Sequence, residues 1–215
     1  MPQYLLFDLE TTGLPLNFKL PYTYVENWPR IVQFSWCVAD HTGKCGEIQD
    51  FIVKPDGFPI PPESSNIHGI THEIAVKDGI GLKEVLDRFM ADAIKCDYLV
   101  AHNLQFDINV LCSEFHRMGD TLGGNRVFSI KGICTKDETT EWCKLRPFRY
   151  GAWKWPKLSE LYYILFNEHI DPVKAHNSKY DVEILSRCFF NLLDKGLISS
   201  SHVRTLRNGK CFVKC

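Results

Sequence analysis

The sequence predicts an α/β fold: a mixed five-stranded sheet flanked by helices, in a single domain spanning residues 1–215. Three observations carry that prediction. Short apolar runs bounded by turn residues read as strands at 3–9, 31–39, near 46–53, at 98–101 and at 126–130. Helical periodicity separates the later strands, and the order β-β-β-α-β-α-β-α is that of a mixed sheet covered by helices. A chain of 215 residues is long enough for one well-formed core.

Tyr4-Leu5-Leu6-Phe7 is apolar on both faces, as a buried central strand requires. Strands two and three flank the turn Asp40-His41-Thr42-Gly43 and form an antiparallel hairpin expected to pair with strand one. Between strands one and two lies an irregular insertion, 15–29, rich in aromatic residues. A Pro-rich loop, 55–62, leads to Asn66-Ile67-His68-Gly69-Ile70-Thr71. Leu82, Val85, Leu86, Phe89, Met90, Ala93 and Ile94 then recur at the spacing of an amphipathic helix. Strand four is followed by a helix from about 105 to 118. Gly119, Gly123 and Gly124 predict a turn before strand five, and a short helix follows Cys134-Thr135. Residues 142–157 form a basic, aromatic loop with Trp142, Arg146, Phe148, Arg149, Tyr150, Trp153 and Trp155. Helices near 158–166 and 178–195 close the fold, ahead of a basic tail at 194–215.

Hydrophobic content of 45% and charged content of 24% are ordinary for a soluble globular protein. No apolar run approaches a membrane span, and Met1-Pro2-Gln3 lacks the features of a signal peptide. The nine cysteines are scattered and odd in number. They point away from a disulfide framework and towards a reducing compartment: cytoplasm or nucleus, or the host cytoplasm for a viral protein. Cys211 and Cys215, with His202 upstream, have a spacing that admits zinc; a frayed tail with free thiols is the preferred reading.

The formal charge of −1 hides an asymmetry. From residue 185 onward Arg187, Lys195, Arg204, Arg207, Lys210 and Lys214 face Asp194 alone, and seven basic residues between 130 and 157 outnumber Asp137, Glu138 and Glu141. Basic segments beside an acidic pocket suit a polyanionic ligand, although a solvated surface bias explains them equally well.

The acidic pocket is the main chemical signal. Asp8 and Glu10 end the first apolar run and, at period 2, share a face. Asp107 shares a helical stripe with Val110, Leu111 and Met118; Asp181 shares one with Ile184, Leu185, Cys188 and Leu192. Carboxylates on core-facing stripes are costly unless neutralised, and a divalent cation is the best candidate. Three or four hard oxygen ligands suit Mg²⁺ or Mn²⁺ better than zinc. Two such ions about 3.5–4 Å apart can hold a scissile phosphate and activate water. His176, near Asp181, has a suitable side chain for the base.

Three segments, in order, then resemble the three exonuclease motifs of the DEDDh family: Asp8-Leu9-Glu10-Thr11-Thr12-Gly13, His102-Asn103-Leu104-Gln105-Phe106-Asp107 and His176-Asn177-Ser178-Lys179-Tyr180-Asp181. Trp28-Pro29-Arg30-Ile31-Val32-Gln33, Ile67-His68-Gly69-Ile70-Thr71, Ile133-Cys134-Thr135 and Lys157-Leu158-Ser159-Glu160-Leu161 look like secondary landmarks of the same family. The resemblance covers about residues 3–193. Ser178 departs from it, standing where many relatives have alanine.

The resemblance implies a ribonuclease-H-like fold and a 3′–5′ exonuclease with two Mg²⁺ or Mn²⁺ ions. Asp8 would touch both ions, Glu10 and Asp181 would hold the nucleophile-side ion, and Asp107 would hold the second. His176 would be the general base. Thr11 and Thr12 would meet the terminal 3′-OH, Leu14, Ile67, His68 and Phe106 would shape the last nucleotide's pocket, and Asn103 would line the cleft. The implied partner is a nucleic-acid 3′ end, single-stranded or frayed, with DNA favoured over RNA and nucleoside 5′-monophosphates released. Proofreading would need a polymerase partner. RNA trimming is the first alternative, and a non-catalytic nucleic-acid-binding module on the same fold is the second. His102 reads as a structural cap or hydrogen-bond donor rather than a catalyst.

Overall fold

The computed structural model describes residues 1–146, 151–198, 205–207 and 210–212, the last two segments by backbone alone. Five strands form the main sheet: β1 (Gln3–Thr11), β2 (Ile31–Asp40), β3 (Gln49–Ile52), β4 (Tyr98–Ala101) and β5 (Lys131–Cys134), in the order β3-β2-β1-β4-β5. As the sequence predicts, β2 and β3 form an antiparallel hairpin that pairs with β1; β2 runs antiparallel to β1, whereas β4 and β5 run parallel to it. The helices are α1 (Pro62–His68), α2 (His72–Asp78), α3 (Leu82–Ala93), α4 (Leu104–Arg117), α5 (Thr121–Ser129), α6 (Thr135–Cys143), α7 (Leu158–Phe166) and α8 (Ser178–Asp194).

β1 is central because both its faces are apolar, and its period-2 alternation divides the core in two. Leu5, Phe7 and Leu9 pack with Phe34, Trp36 and Phe89 against α3, α4 and α5. Tyr4 and Leu6 face Leu161, Val182, Leu185 and Phe189 of α7 and α8. Asp8 and Glu10 therefore continue the α8-facing side of β1. The parallel pairing brings the carboxyl ends of β1, β4 and β5 to one edge, where β4 turns into α4 and β5 into α6.

Several expectations need correction. The fifth strand is not 126–130 but Lys131–Cys134, and 121–129, expected to begin as a Gly-rich turn, is helix α5. Asp120 caps that helix by accepting from the amide of Gly123. A Cβ on Gly123 would meet a ring carbon of Phe115 at 2.8 Å, and one on Gly124 would meet the Phe115 Cβ at 3.4 Å. These glycines serve close packing of α5 on α4 rather than a turn. The loop expected up to Thr71 contains α1, with Pro62 in its first turn. Gly69, at φ 78°, ends α1, and Thr71 caps α2 through a bond from the Ile74 amide at 3.2 Å. Strand three is shorter than expected, and the run of elements is accordingly richer in helix.

The 15–29 insertion is anchored. Trp28 is buried, Asn27 exchanges hydrogen bonds with the Asn17 backbone at 2.8 and 3.0 Å, and Arg117 of α4 donates to the carbonyls of Val25 and Trp28. Within the aromatic loop, residues 147–150 (Phe148, Arg149 and Tyr150 among them) lie outside the described residues; Trp153 and Trp155 are 38% and 64% exposed and so are not core. In the tail, Thr205–Arg207 and Lys210–Phe212 pair as a two-stranded antiparallel ribbon. His202 and Cys215, and the side chain of Cys211, lie outside the described residues.

Candidate active site

The first two carboxylates come from β1, where Asp8 stands opposite Ser35 and Glu10 opposite Gln33 of β2. Asp107 arrives from the first turn of α4, which begins just after β4 ends. Its carboxylate accepts from its own amide and from the amide of Leu9, which ties α4 to β1. Asp181 arrives from the first turn of α8 and accepts from the His176 amide. The four acids expected from the sequence thus meet at the carboxyl edge of the sheet.

Their electrostatics confirm the crowding. The Asp8 carboxyl is held well above the usual range by burial, then by Asp181, Asp107 and Glu10. Glu10 is pushed up to about 9 by burial and by Asp181 and Asp107. Burial pushes Asp107 up to about 8 against the opposing pull of its own amide, Lys136 and the Leu9 amide, and pushes Asp181 up to about 6. Each carboxylate would rather be neutral, which is the condition a divalent cation relieves. Ligand atoms of Glu10, His176 and Asp181 already lie within 4.8 Å of one another. Hard oxygen donors that repel one another fit an oxygen-seeking divalent ion.

His176 is solvent-exposed and sits at φ 65°, a left-handed conformation just before the α8 cap. That cap is Asn177, whose side chain accepts from the Tyr180 amide at 3.2 Å. Behind it, Ser178 is fully buried; its hydroxyl lies 2.6 Å from that of Ser35, and its amide donates to Gln33 Oε1 at 3.2 Å. Gln33 and Ser35 both donate to Asp50 Oδ1 at 2.8 Å. This network pins the start of α8 to β2, directly beside Asp8 and Glu10. It also gives Ser178, the departure from the family pattern, a partner that alanine would lack.

The remaining expected residues are distributed around this centre. Thr11 closes a turn by donating to the Gly13 carbonyl at 2.8 Å, and Thr12 exchanges bonds with the Arg30 backbone through both its amide and its hydroxyl. Leu14 and Ile67 are exposed. His68 is buried; its Nδ1 accepts from the Ile70 amide at 3.1 Å, which leaves Nε2 as the protonated nitrogen. That nitrogen makes no well-formed hydrogen bond, lying only loosely against the Thr11 carbonyl, and burial lowers the ring's pKa. Ile67, His68, His176 and Tyr180 line one cavity of about 530 Å³. Asn103, at φ 94°, and Phe106 line another of about 560 Å³, with Phe18, Lys136 and Trp155. A further cavity of about 700 Å³ holds none of these residues; its Arg30, Glu114 and Arg117 are joined in a buried ion cluster.

His102 caps no helix; it bonds across the fold instead, with Nδ1 2.9 Å from Thr135 Oγ1 and Nε2 2.9 Å from the Pro156 carbonyl oxygen. Burial pushes its pKa down to about 4. Sequence reasoning missed Lys136, which donates to Asn103 Oδ1 at 2.6 Å and acts on Asp107. Its signal was available: it directly follows Ile133-Cys134-Thr135, at the same sheet edge as the carboxylates. The Gln33–Ser35–Asp50 network carried no such local signal.

Fold and acidic centre together define a ribonuclease-H-like nuclease domain of the DEDDh type. A model of the RNase T exonuclease family matches residues 5–189, and the chain belongs to that family, whose members depend on divalent metal. Among curated relatives it is similar to a PolC-type DNA polymerase III of Mycoplasmopsis pulmonis, at 24% identity over 99% of this chain and 13% of the relative. It is also 36% identical, over 50% of this chain and 14% of the relative, to a DNA polymerase III subunit epsilon-like protein of Rhodobacter capsulatus. The chain thus spans less than a sixth of the length of these relatives.

Solved structures agree on the fold. The zinc-bound Escherichia coli Exonuclease I–single-stranded DNA complex superposes with a TM-score of 0.69 at 22% identity, over 91% of this chain and 41% of that one. A 3′-exonuclease that recognises the 3′ end of histone mRNA stem-loop gives 0.71 at 15% identity, over 100% and 71%. Exonuclease X, in complex with 5′-overhanging duplex DNA, gives 0.60 at 19% identity, over 96% and 98%.

Proposed function

We propose that this chain is a 3′–5′ exonuclease dependent on two Mg²⁺ or Mn²⁺ ions, releasing nucleoside 5′-monophosphates from single-stranded or frayed DNA 3′ ends. The observation that carries the reading is the convergence of Asp8, Glu10, Asp107 and Asp181 on one edge of the sheet, with His176 within ligand distance of Glu10 and Asp181. Asp8, Glu10 and Asp181 would hold one ion, and Asp8 with Asp107 the other. Bound there, the ions supply charge neutralisation for the scissile phosphate and a more acidic water. His176 would take the proton from the attacking water; its exposed, left-handed loop leaves the ring reachable from solvent. His68 offers its Nε2 proton to the terminal nucleotide from a buried ring, while Leu14 and Ile67 bound that nucleotide's pocket. Thr11 and Thr12 hold the backbone beside the 3′-OH, and Asn103 lines the cleft.

Similarity to polymerase III proteins and to a DNA-bound exonuclease supports DNA as substrate and a polymerase as a possible partner. RNA is the second reading, supported by the full-length superposition on an exonuclease that recognises an mRNA stem-loop. Matched DNA and RNA oligonucleotides, with free and blocked 3′ ends, incubated with Mg²⁺, Mn²⁺ or a chelator, test both. Metal-dependent release of mononucleotides from free 3′ ends only is expected, and is lost in Asp8→Ala and His176→Ala. Endonucleolytic products, or equal activity in the chelator, would refute the proposal.

A further inference from the structure

The cavity beside Asp107 is built from groups that the chemistry of bond cleavage does not use. Lys136, only 17% exposed at its side chain, reaches Asn103 Oδ1 at 2.6 Å and lies 3.9 Å from Asp137. An ammonium group has three donors, so after these two contacts it keeps one for an anionic oxygen. Its Nζ sits 4.5 Å from the ring centroid of Trp155, a tryptophan 64% exposed. Phe18 and Phe106 add aromatic wall to the same cavity. With exposed Phe18 beside it, the indole belongs to a contiguous aromatic patch, the kind of surface that marks a binding groove.

The surface does not end at Trp155. A second cavity of about 650 Å³ shares that indole and is lined further by Trp153, Lys154, Lys157 and Glu141. Lys154 is paired with Glu160, and among the described residues Lys136 is the cation that lies against the shared indole. The cavity around His68 and His176 carries Lys174, Lys179 and Tyr180, with Lys174 Nζ 5.8 Å from the Tyr180 ring centroid, but no indole. A strand cut at its end needs room for one nucleotide on one side and for a continuing chain on the other.

We infer that Lys136 and Trp155 form a subsite for the nucleotide on the upstream side of the scissile bond, with Trp155 stacking on its base and Lys136 holding its phosphate. The occupant is a single strand of nucleic acid, in which every base offers a face to an indole and every link a charge to an ammonium group. This inference rests on the exonuclease reading, and its test separates the two. Two substrates are compared: a 12-mer of whichever nucleic acid the wild type degrades, and the 4-nitrophenyl ester of thymidine 5′-monophosphate, which has no upstream nucleotide. In Trp155→Ala the ratio of kcat/KM for the 12-mer to that for the ester falls about tenfold, as loss of one stacked base implies. Trp155→Phe, which keeps a ring, recovers most of the ratio. Lys136→Gln weakens the 12-mer's KM and lowers its log–log salt slope by about 0.7, the loss of one phosphate contact on a single strand.

A ratio within twofold of wild type in Trp155→Ala, or equal losses on both substrates, overturns the subsite. Wild-type protein that turns over neither substrate with Mg²⁺ or Mn²⁺ refutes the exonuclease reading instead. Affinity of the chelated protein for a fluorescent 12-mer then still decides the subsite: a tenfold loss in Trp155→Ala supports it, and a loss under twofold overturns it.

Discussion

Stripped of divalent ions by a chelator, the protein should lose folding stability as pH rises from 6.5 to 8. Asp107 is held at about 8 and Glu10 at about 9 in the fold, by burial and mutual repulsion. Unfolded carboxyls titrate near pH ~4. The native state therefore keeps protons that the unfolded chain has released. A carboxyl raised in this way contributes stability that is complete below its unfolded pKa and lost as pH climbs through its folded one. The window leaves out most of the opposing effect of His102: pushed down to about 4 in the fold, it is neutral there throughout, and the unfolded imidazole, half protonated at about pH 6.5, is neutral by pH 8.

Counting only one retained proton, the loss is about 1.4 kcal/mol per pH unit, or about 2 kcal/mol across the window. In a domain of this size that lowers the melting temperature by about 4–8 °C. Thermal and urea unfolding in EDTA at pH 6.5, 7.2 and 8 measures it, and added Mg²⁺ or Mn²⁺ should restore more stability at pH 8 than at 6.5. Asp107→Asn, whose amide has no proton to lose, should flatten the slope and stabilise the chelated protein at pH 8. A flat or rising profile in the wild type, or an unchanged slope in Asp107→Asn, would refute the crowded-carboxylate account of the site.

His176→Ala should cut kcat by about 10²–10⁴-fold while leaving the melting temperature unchanged, because the ring is exposed; single-turnover kinetics beside a thermal melt measures both. His102→Ala should act oppositely, costing about 2 kcal/mol by stranding the Pro156 carbonyl and leaving Thr135 Oγ1 only its long bond to the Ala101 carbonyl, read as a lower urea midpoint. Glu114→Ala should be more damaging still. Its buried carboxylate accepts from Arg30 Nε at 2.9 Å, the Ile31 amide at 3.1 Å and Arg117 Nη1 at 3.2 Å, so its loss leaves two guanidinium groups unpaired at about 3–5 kcal/mol. Calorimetry that finds Glu114→Ala within 1 °C of wild type would contradict that reading of the cluster.

Local pattern made the strands β1, β2 and β4 and the helices α3, α4 and α8 legible, because each buries one regular set of apolar positions. It failed at α1 and α2, which are seven residues each, too short to display a helical period against a Pro-rich background. At α5 it failed because Gly123 and Gly124 signal a turn in isolation and become helical only against Phe115. The site divides the same way. Asp8, Glu10, Asp107, His176 and Asp181 announce themselves through motifs and misplaced charge, whereas Lys136 and the Gln33–Ser35–Asp50 set act across the fold.

The sequence by itself determined the layered α/β architecture, the acidic centre and the identity of its candidate base, since alternation and helical spacing are properties of neighbouring residues. Only the tertiary structure decided what surrounds that centre. Ser178 meets Ser35 across 143 residues, and Lys136 meets Asn103 across 33. Trp155 faces Lys136 because β4 and β5 deliver their carboxyl ends side by side. Contacts at such separations depend on chain topology, and no local period encodes them.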